Sequence, residues 1–398
     1  MGRNDNLITS ILTILIIAIF AVTIYFCLDI FSIIDVPDEY SLAKIFASKT
    51  TEVSMAKPIE GIINKENIDK WINEKKEEFY NDSNNADKNV IEIPENNNFE
   101  VVADTQKKSE NVVNRMYYSQ LDIYGRMIYD ELNLHREELK TGTYVANFDT
   151  KFNDLLHKRN GEKLLEYAFQ CSVNALLFDN PEIFYIDITK MYMYTEVSSF
   201  GPLKTYRVKI GPLEGENYLN DFFDNVNSVN LAINEMEQMK HNIIASLYGE
   251  IYYQIKGVHD YIIFNSEYER TVSKENIYTA YGSLIGNSAV CEGYAKAFKY
   301  ILDELGVPCV IVCGIGQNSN GETESHAWNY VKIDNIWYAV DCTWDDPVIV
   351  GNGYVSQDIH SKYFLKGARE FFIDHYEDGN IVNGSNFVYP TISEENYR

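Results

Sequence analysis

The stretch NSAVCEGYAKAFKYILDELGVPCVIVCGI, residues 287–315, predicts a helix followed directly by a buried strand. The helix, from Cys291 to about residue 305, is indicated by apolar residues at helical spacing: Ala295, Phe298, Leu302 and Leu305. Gly306 and Pro308 follow in the order that ends helices. The apolar run at 309–315 is then typical of a strand inside a core.

The thiol of Cys291 lies at the predicted start of this helix. Unpaired N–H groups and the helix dipole favour a thiolate at such a position, and the backbone N–H of Cys291 is placed to bind an oxyanion. Gly293 and Ala295 are small enough to let the helix pack closely. Most buried cysteines are nevertheless small hydrophobic core residues. The stretch alone therefore leaves a nucleophile and a core residue both open.

Two further strands, HAWNYVKI at 326–333 and IWYAVDCTW at 336–344, predict a hairpin. The two residues between them, Asp334 and Asn335, tolerate the positive φ angles that a two-residue turn requires. Ile333 then pairs with Ile336, and every pair of residue numbers adds up to 669, since 333 + 336 = 669.

This register places a set of residues on one face of the hairpin. The set is His326, Trp328, Lys332, Trp337, Asp341 and Thr343. His326 and Asp341 become diagonal neighbours with Cβ atoms roughly 7 Å apart, whereas a loop of odd length would separate them. An Asp beside a His can orient the imidazole and stabilise its charged form. The spacing therefore predicts a base, His326, and its orienting carboxylate, Asp341, for the Cys291 nucleophile.

Three blocks carry a resemblance to a known family: residues 286–314, SHAWNYVKIDNIWYAVDCTWDDP at 325–347, and KYFL at 362–365. They resemble the transglutaminase-like superfamily, and within it the bacterial branch related to the cytokinesis protein 3 and kyphoscoliosis peptidase group. The resemblance covers about 250–375 and implies an α+β, papain-like core with a Cys-bearing helix packed on an antiparallel sheet. The family's triad matches Cys291, His326 and Asp341.

The resemblance implies acyl transfer through a thioester on Cys291, with a protein or peptide as substrate and no cofactor. Water as acceptor gives a protease or amidase, and a lysine amine gives a cross-linking transglutaminase. The alternative is a catalytically silent cell-surface module that binds or scaffolds. Fast, selective alkylation of Cys291 would separate an enzyme from a silent module.

Other residues near these blocks have weaker interpretations. Tyr281 is a candidate for completing the oxyanion site. Trp328 and Trp344 are candidates for walling the site against water, with simple core packing as the competing interpretation. His259, between apolar neighbours, is interpreted as a satisfied core histidine.

No metal site is predicted. Cys309 and Cys313 lie four residues apart on one face of a predicted strand, but no second Cys/His pair completes a zinc set, so they are interpreted as core. Asp345 and Asp346 do not form a calcium loop, and a turn cap is the favoured interpretation.

The composition limits the possible partners. The chain has 398 residues, is 45% hydrophobic and carries 34 basic against 59 acidic residues, giving a net charge of −25. A core of real size is therefore available, but a nucleic-acid backbone or an anionic lipid surface would be repelled. Attachment to a membrane must then be hydrophobic.

An uncharged apolar run at residues 7–28 is long enough to span a bilayer of about 30 Å. Arg3 precedes the run and acidic residues follow it, which predicts a cytoplasmic N-terminus and an extracytoplasmic body at the cell membrane. The competing interpretation, a cleaved signal peptide, predicts a shorter run and an Ala-x-Ala-like site. The predicted organisation is a tail at 1–6, an anchor at 7–28, a polar spacer at 29–110, an α/β extension at 111–215 and the transglutaminase-like domain at 216–398.

Overall fold

The computed structural model describes residues 52–56, 115–200, 203–271, 276–347, 357–379 and 387–398. The predicted anchor at 7–28 lies outside the described residues, as does the spacer apart from 52–56. Among the described helices, none combines the length and the apolar character needed to cross a membrane. Helices and sheets are mixed, which confirms the predicted mixture of α and β structure.

The elements are numbered here in chain order. The helices are α1 Met116–Gln120, α2 Ile123–Leu134, α3 Arg136–Leu139, α4 Asn153–Leu156, α5 Gly161–Asp179, α6 Val226–Ser246, α7 Ile251–Asn265, α8 Ala280–Leu284, α9 Cys291–Glu304 and α10 Ala368–Phe371. The strands are β1 Glu52–Ala56, β2 Ala146–Asp149, β3 Tyr192–Phe200, β4 Leu203–Gly211, β5 Glu267–Tyr268, β6 Ser288–Ala289, β7 Cys309–Gln317, β8 Thr323–Ile333, β9 Ile336–Val340 and β10 His375–Glu377. Two 3-10 helices span Ile188–Lys190 and Gln357–Ser361.

The smaller of two compact units contains, among described residues, 52–56, 147–161, 193–200 and 203–210. Its sheet has the order β1-β3-β4-β2, and β1 runs antiparallel to β3. Phe148 and Phe152 are buried here with ring centroids 5.2 Å apart. They supply apolar contact area within this unit.

The larger unit contains the remaining described residues, including all of those from 211 onward. Its main sheet has the order β10-β7-β8-β9, with every neighbouring pair antiparallel. Helix α9 packs on β7 and β8, and α7 and α8 pack against α9. The Cys-bearing helix thus lies on an antiparallel sheet, as predicted.

Helix α9 confirms the prediction for the opening stretch. Val290 is extended and precedes the helix, which runs over Cys291–Glu304. Gly306 follows with φ +68°, a conformation that costs glycine little. The apolar stripe of α9 is buried, with Phe298 and Leu302 fully inaccessible. Burial of this stripe against the sheet is what holds the helix in place.

The β8–β9 hairpin has the predicted register. Ile333 pairs with Ile336 and Asn329 with Val340, so the sum of 669 is confirmed, since 329 + 340 = 669. The two turn residues have φ angles of 52° at Asp334 and 65° at Asn335. Both angles belong to the left-handed region that a two-residue hairpin turn needs.

Strand β9 ends at Val340, earlier than the predicted residue 344. The carboxylate of Asp341 accepts the backbone N–H groups of Thr343 and Trp344, at 2.8 and 3.1 Å. An Asp side chain that binds its own downstream backbone replaces the ladder by a turn. The segment following Asp341 therefore folds back instead of extending the strand.

The compact units divide the chain differently from the predicted border near residue 215. Residues 115–146 and 162–192, from the predicted extension, group with the larger unit. The Tyr117 hydroxyl, for example, donates to the Ile311 carbonyl at 2.7 Å. The predicted functional division at 111–215 and 216–398 stays a prediction.

Candidate active site

Cys291 is the first residue of α9, and its side chain is partly exposed. The first turn of a helix presents unpaired N–H groups and a positive dipole end, both of which favour an anion. Gly293 lets this turn pack tightly, because an added Cβ would lie 2.5 Å from the Ile277 carbonyl oxygen and 2.7 Å from the Ala289 Cβ. The predicted need for a small residue at position 293 is confirmed.

His326 lies on β8, opposite Gly314 of β7, and is almost fully buried. Its Nε2 is 2.7 Å from Oδ2 of Asp341. The ring also forms a hydrogen bond with the Cys291 side chain. Because Nε2 faces Asp341, we assign this bond to the other ring nitrogen, Nδ1. Burial opposes the charged ring, but the Asp341 carboxylate and Cys291 outweigh burial and raise the pKa of His326 to about 10.

The Asp341 carboxylate is fully buried and accepts four hydrogen bonds. Oδ1 accepts the backbone N–H groups of Thr343 and Trp344, and Oδ2 faces the Nε2 atoms of His326 and His375 at 2.7 and 3.0 Å. Burial favours the neutral acid, but these charges and hydrogen bonds hold the pKa of Asp341 well below its usual range. Asp341 is therefore a fixed anion.

The predicted contact between His326 and Asp341 is confirmed, and its cause is the even loop of the hairpin. Cys291, His326 and Asp341 form a connected set, with the imidazole between the thiol and the carboxylate. Such a set can take a proton from the thiol and stabilise the resulting charges. The catalytic roles of the three residues stay a prediction.

His375 is part of this site and was missed from the sequence. It lies on β10, 34 residues after Asp341, and its other ring nitrogen, Nδ1, is 2.8 Å from Oδ1 of Asp374. Strand β10 has only three residues and pairs with β7, so it is too short to show the apolar alternation that predicts a strand. The Asp374–His375 dipeptide was the one available signal.

Trp328 and Trp344 lie against His326, with ring centroids 5.8 and 5.3 Å from the imidazole. Two glycines of β7 make room for them. An added Cβ at Gly314 would lie 2.5 Å from Cη2 of Trp328, and one at Gly316 would lie 2.7 Å from Cζ2 of Trp344. The two tryptophans contact the imidazole, and the walling of the site against water stays a prediction.

Tyr281, the candidate oxyanion residue, has its contacts elsewhere. Its hydroxyl donates to Glu235 of α6 at 2.8 Å, and its ring stacks on Phe184 with centroids 5.2 Å apart. These contacts account for both its ring and its hydroxyl within the fold. They give no support to the oxyanion role.

Tyr268, which the sequence analysis did not single out, lies beside the segment that precedes the thiol. It belongs to β5, which pairs with β6 so that Tyr268 is opposite Ala289, two residues before Cys291. Burial, with smaller contributions from the charges of Cys291 and Glu324, raises the pKa of Tyr268. No sequence pattern connects Tyr268 with the site.

A second buried His–Asp pair lies beside the first. His259 of α7 is inaccessible and has Nε2 3.0 Å from Oδ2 of Asp345 and Nδ1 3.0 Å from Oδ1 of Asp260. The other oxygen of Asp345 accepts the Tyr363 backbone N–H at 2.8 Å. The interpretation of His259 as a satisfied core histidine is confirmed. Asp345 joins distant segments instead of capping its own turn.

One group among the described residues has the donor types of a metal site. Its donor atoms, from His326, Asp341 and His375, lie within 4.8 Å of one another. Two imidazoles and one carboxylate suit zinc or another transition metal. These donors already satisfy one another by hydrogen bonds, so the described geometry is complete without a metal.

Comparison with known proteins relates residues 238–342 to a family. Residues 238–342 match the family model described as the transglutaminase-like superfamily. The mouse kyphoscoliosis peptidase is 33% identical over 97 residues, covering 22% of this chain and 14% of that protein. The human kyphoscoliosis peptidase is 30% identical over 144 residues, covering 31% of this chain and 21% of that protein. The matches thus span about a fifth or less of these relatives.

A solved structure titled as a TGase is 15% identical, with a TM-score of 0.26, and the match covers 41% of this chain and 46% of that one. So loose a structural match carries no argument about the site. The segment matched by the family model, residues 238–342, contains Cys291, His326 and Asp341. The predicted resemblance to the transglutaminase-like superfamily is thus confirmed for residues 238–342.

Proposed function

We propose that the chain is a thiol acyltransferase or hydrolase that acts on amide bonds of proteins or peptides. Cys291 is the nucleophile, His326 the general base and acid, and Asp341 the orienting anion. The observation that carries the proposal is the 2.7 Å contact from His326 to Asp341 on a ring that also hydrogen-bonds Cys291. The proposed reaction needs that order of thiol, imidazole and carboxylate.

The chemistry follows from this order. His326 takes the thiol proton, and the sulfur of Cys291 adds to the carbonyl carbon to form a tetrahedral oxyanion. As the oxyanion collapses, the C–N bond breaks and His326 returns the proton to the leaving amine. Water or a second amine then attacks the thioester, loses its proton to His326, and releases the thiol. Asp341 stays ionised throughout and stabilises the imidazolium.

The acceptor decides between two product classes. The names of the mouse and human relatives contain the word peptidase, which supports water as acceptor and cleavage of a peptide bond. The same three residues serve an amine acceptor equally well. An assay for new N-termini in a peptide mixture, run beside incorporation of an amine probe, separates the two.

Selective thiol reactivity is the expected result that tests the proposal. At neutral pH, iodoacetamide should alkylate Cys291 at least about tenfold faster than an ordinary exposed thiol, because an ordinary thiol is only a few per cent ionised there. Cys313 is an internal reference for slow labelling: it is the other partly exposed described cysteine, and burial raises the pKa of its thiol. Mass spectrometry of labelled peptides measures both rates.

The variant His326→Ala should lower the alkylation rate of Cys291 to that of an ordinary thiol and leave Cys313 unchanged. Labelling of Cys291 in the unaltered protein no faster than that of an ordinary thiol would contradict the proposed chemistry. That result would instead support a catalytically silent binding module.

We further propose that residues 7–28 anchor the protein in the cell membrane, with residues 1–6 in the cytoplasm and the body from residue 29 outside it. The support is the uncharged run itself, with Arg3 before it and Asp29 and Asp35 after it. Protease added to intact cells should digest the body of the protein while a cytoplasmic marker stays whole. A body that is fully protected until the cells are lysed would contradict this orientation.

A further inference from the structure

We infer that His375 is a positioning residue for the proposed reaction: it fixes the Asp341 carboxylate and, through it, the imidazole of His326. This inference rests on the proposed function, because it concerns the orientation of the same base. His375 touches neither the thiol nor a reacting atom in the proposed steps. Its effect must pass through Asp341.

The contacts of Asp341 show what His375 contributes. The backbone N–H groups of Thr343 and Trp344 hold Oδ1 and leave Oδ2 to the two imidazoles. The Nε2 atoms of His326 and His375 lie 2.7 and 3.0 Å from this same oxygen. The backbone N–H groups hold Oδ1 and His375 holds Oδ2, so the plane of the carboxylate is fixed. Oδ2 therefore already points at His326. A pre-set orienting group is what a proton-transfer site requires.

His375 is itself held on all sides. Oδ1 of Asp374 is 2.8 Å from Nδ1, and Oδ2 of Asp374 accepts the Tyr363 hydroxyl at 2.7 Å. The imidazole stacks on Phe371 with centroids 4.1 Å apart and planes 24° apart, and its centroid is 4.4 Å from that of Trp344. The side chain is inaccessible to solvent. An outer His–Asp pair thus supports the inner one from a separate segment of the chain.

The fold contains a matched comparison for a merely structural role. His259, like His375, is inaccessible and faces two carboxylates, Asp345 and Asp260, at 3.0 Å. Both histidines therefore join buried segments by the same chemistry. Only His375 shares its carboxylate oxygen with His326. A structural effect should appear in variants of both, and a positioning effect in variants of His375 alone.

The test compares His375→Phe, His375→Gln and His259→Gln. Phenylalanine keeps the aromatic packing but cannot donate a hydrogen bond, whereas the glutamine amide can reach Asp341 with an N–H group. The readout is the iodoacetamide rate of Cys291 in folded protein as a function of pH, with the melting temperature measured alongside. No substrate is needed for this measurement.

For His375→Phe we expect Cys291 alkylation at pH 7 to slow about tenfold and its pH midpoint to rise by about one unit, since one unit of pKa is a tenfold change in protonation equilibrium. His375→Gln should stay within about threefold of the unaltered protein. His259→Gln should lower the melting temperature and leave both the rate and the midpoint unchanged. Unchanged reactivity in His375→Phe would overturn the inference, as would equal slowing in His259→Gln.

If His375→Phe does not fold, the variant Asp374→Ala tests the inference in its place. It removes the acceptor that orients His375 and leaves the aromatic packing around His375 unchanged. Slowing of Cys291 in folded Asp374→Ala supports the positioning role, and an unchanged rate and midpoint overturn it. Failure of the proposed function itself looks different. In that case Cys291 of the unaltered protein already reacts no faster than an ordinary exposed thiol.

Discussion

Replacement of Asp341 by Asn is expected to slow acylation of Cys291 by about 10⁴-fold while the protein remains folded. A loss of about that size follows the same substitution in a Ser-His-Asp triad, where it leaves the geometry intact and imposes the wrong imidazole tautomer. The contacts of Asp341 predict the same outcome here.

The reason lies in how an asparagine must orient at this position. The N–H groups of Thr343 and Trp344 require an oxygen at the place of Oδ1. The amide NH₂ must then point at Nε2 of His326, which can only accept from it when the ring proton is on the other nitrogen. That proton faces Cys291, so His326 can no longer take one from the thiol.

Two measurements check this prediction. The alkylation rate of Cys291 at neutral pH should fall to that of an ordinary thiol, and turnover of any substrate found in the product assay should fall by the full factor. Asp346→Asn is the matched control, since Asp346 accepts a hydrogen bond from the Tyr294 hydroxyl and does not contact the triad imidazole. A loss below about tenfold in Asp341→Asn would show that orientation of His326 does not depend on this carboxylate.

Replacement of Asp345 by Ala is expected to destabilise the larger unit by about 3–5 kcal/mol, the usual cost of removing one partner from a buried charged pair. The change removes the acceptor facing Nε2 of His259 and the acceptor of the Tyr363 N–H, both inaccessible to water. Thermal unfolding followed by circular dichroism should show a midpoint lower by on the order of 10 °C.

Asp345→Asn separates the lost hydrogen bonds from the lost charge. Its amide oxygen still accepts the Tyr363 N–H, and its NH₂ can donate to His259 if the ring proton moves to the nitrogen facing Asp260. The cost should therefore be about 1–2 kcal/mol. Equal destabilisation by Ala and Asn would attribute the effect to charge, and no destabilisation by either would remove Asp345 from the core of the fold.

At this site, contacts that depend on neighbouring residues in the sequence could be predicted, and contacts between distant segments could not. The contact of His326 with Asp341 depends on a two-residue turn and on strand alternation, both local, so parity alone predicts it. The start of α9 at Cys291 is equally local, because spacing and a glycine stop define it. These are the parts of the fold that the sequence predicts well.

Contacts between distant segments depend on tertiary packing, which the local sequence pattern does not reveal. His375 reaches Asp341 because a three-residue strand pairs with β7, and that pairing is decided by tertiary packing. The hydroxyl of Tyr281 is bound by Glu235, 46 residues earlier, which no spacing argument could anticipate. The end of β9 depended on the Asp341 side chain capturing its own downstream backbone, a competition that strand propensity does not register.

Strand β10 also bears on where this domain ends. The family match stops at residue 342, whereas β10 lies at His375–Glu377 and covers the outer side of β7. A chain trimmed to the match would lose the strand that pairs with Gly314–Gly316, and β7, CVIVCGIGQ, has no charged residue to discourage pairing between molecules at that edge. Such a fragment is a template for aggregation. The border drawn by sequence similarity therefore runs through a sheet, and the complete sheet needs residues up to 377.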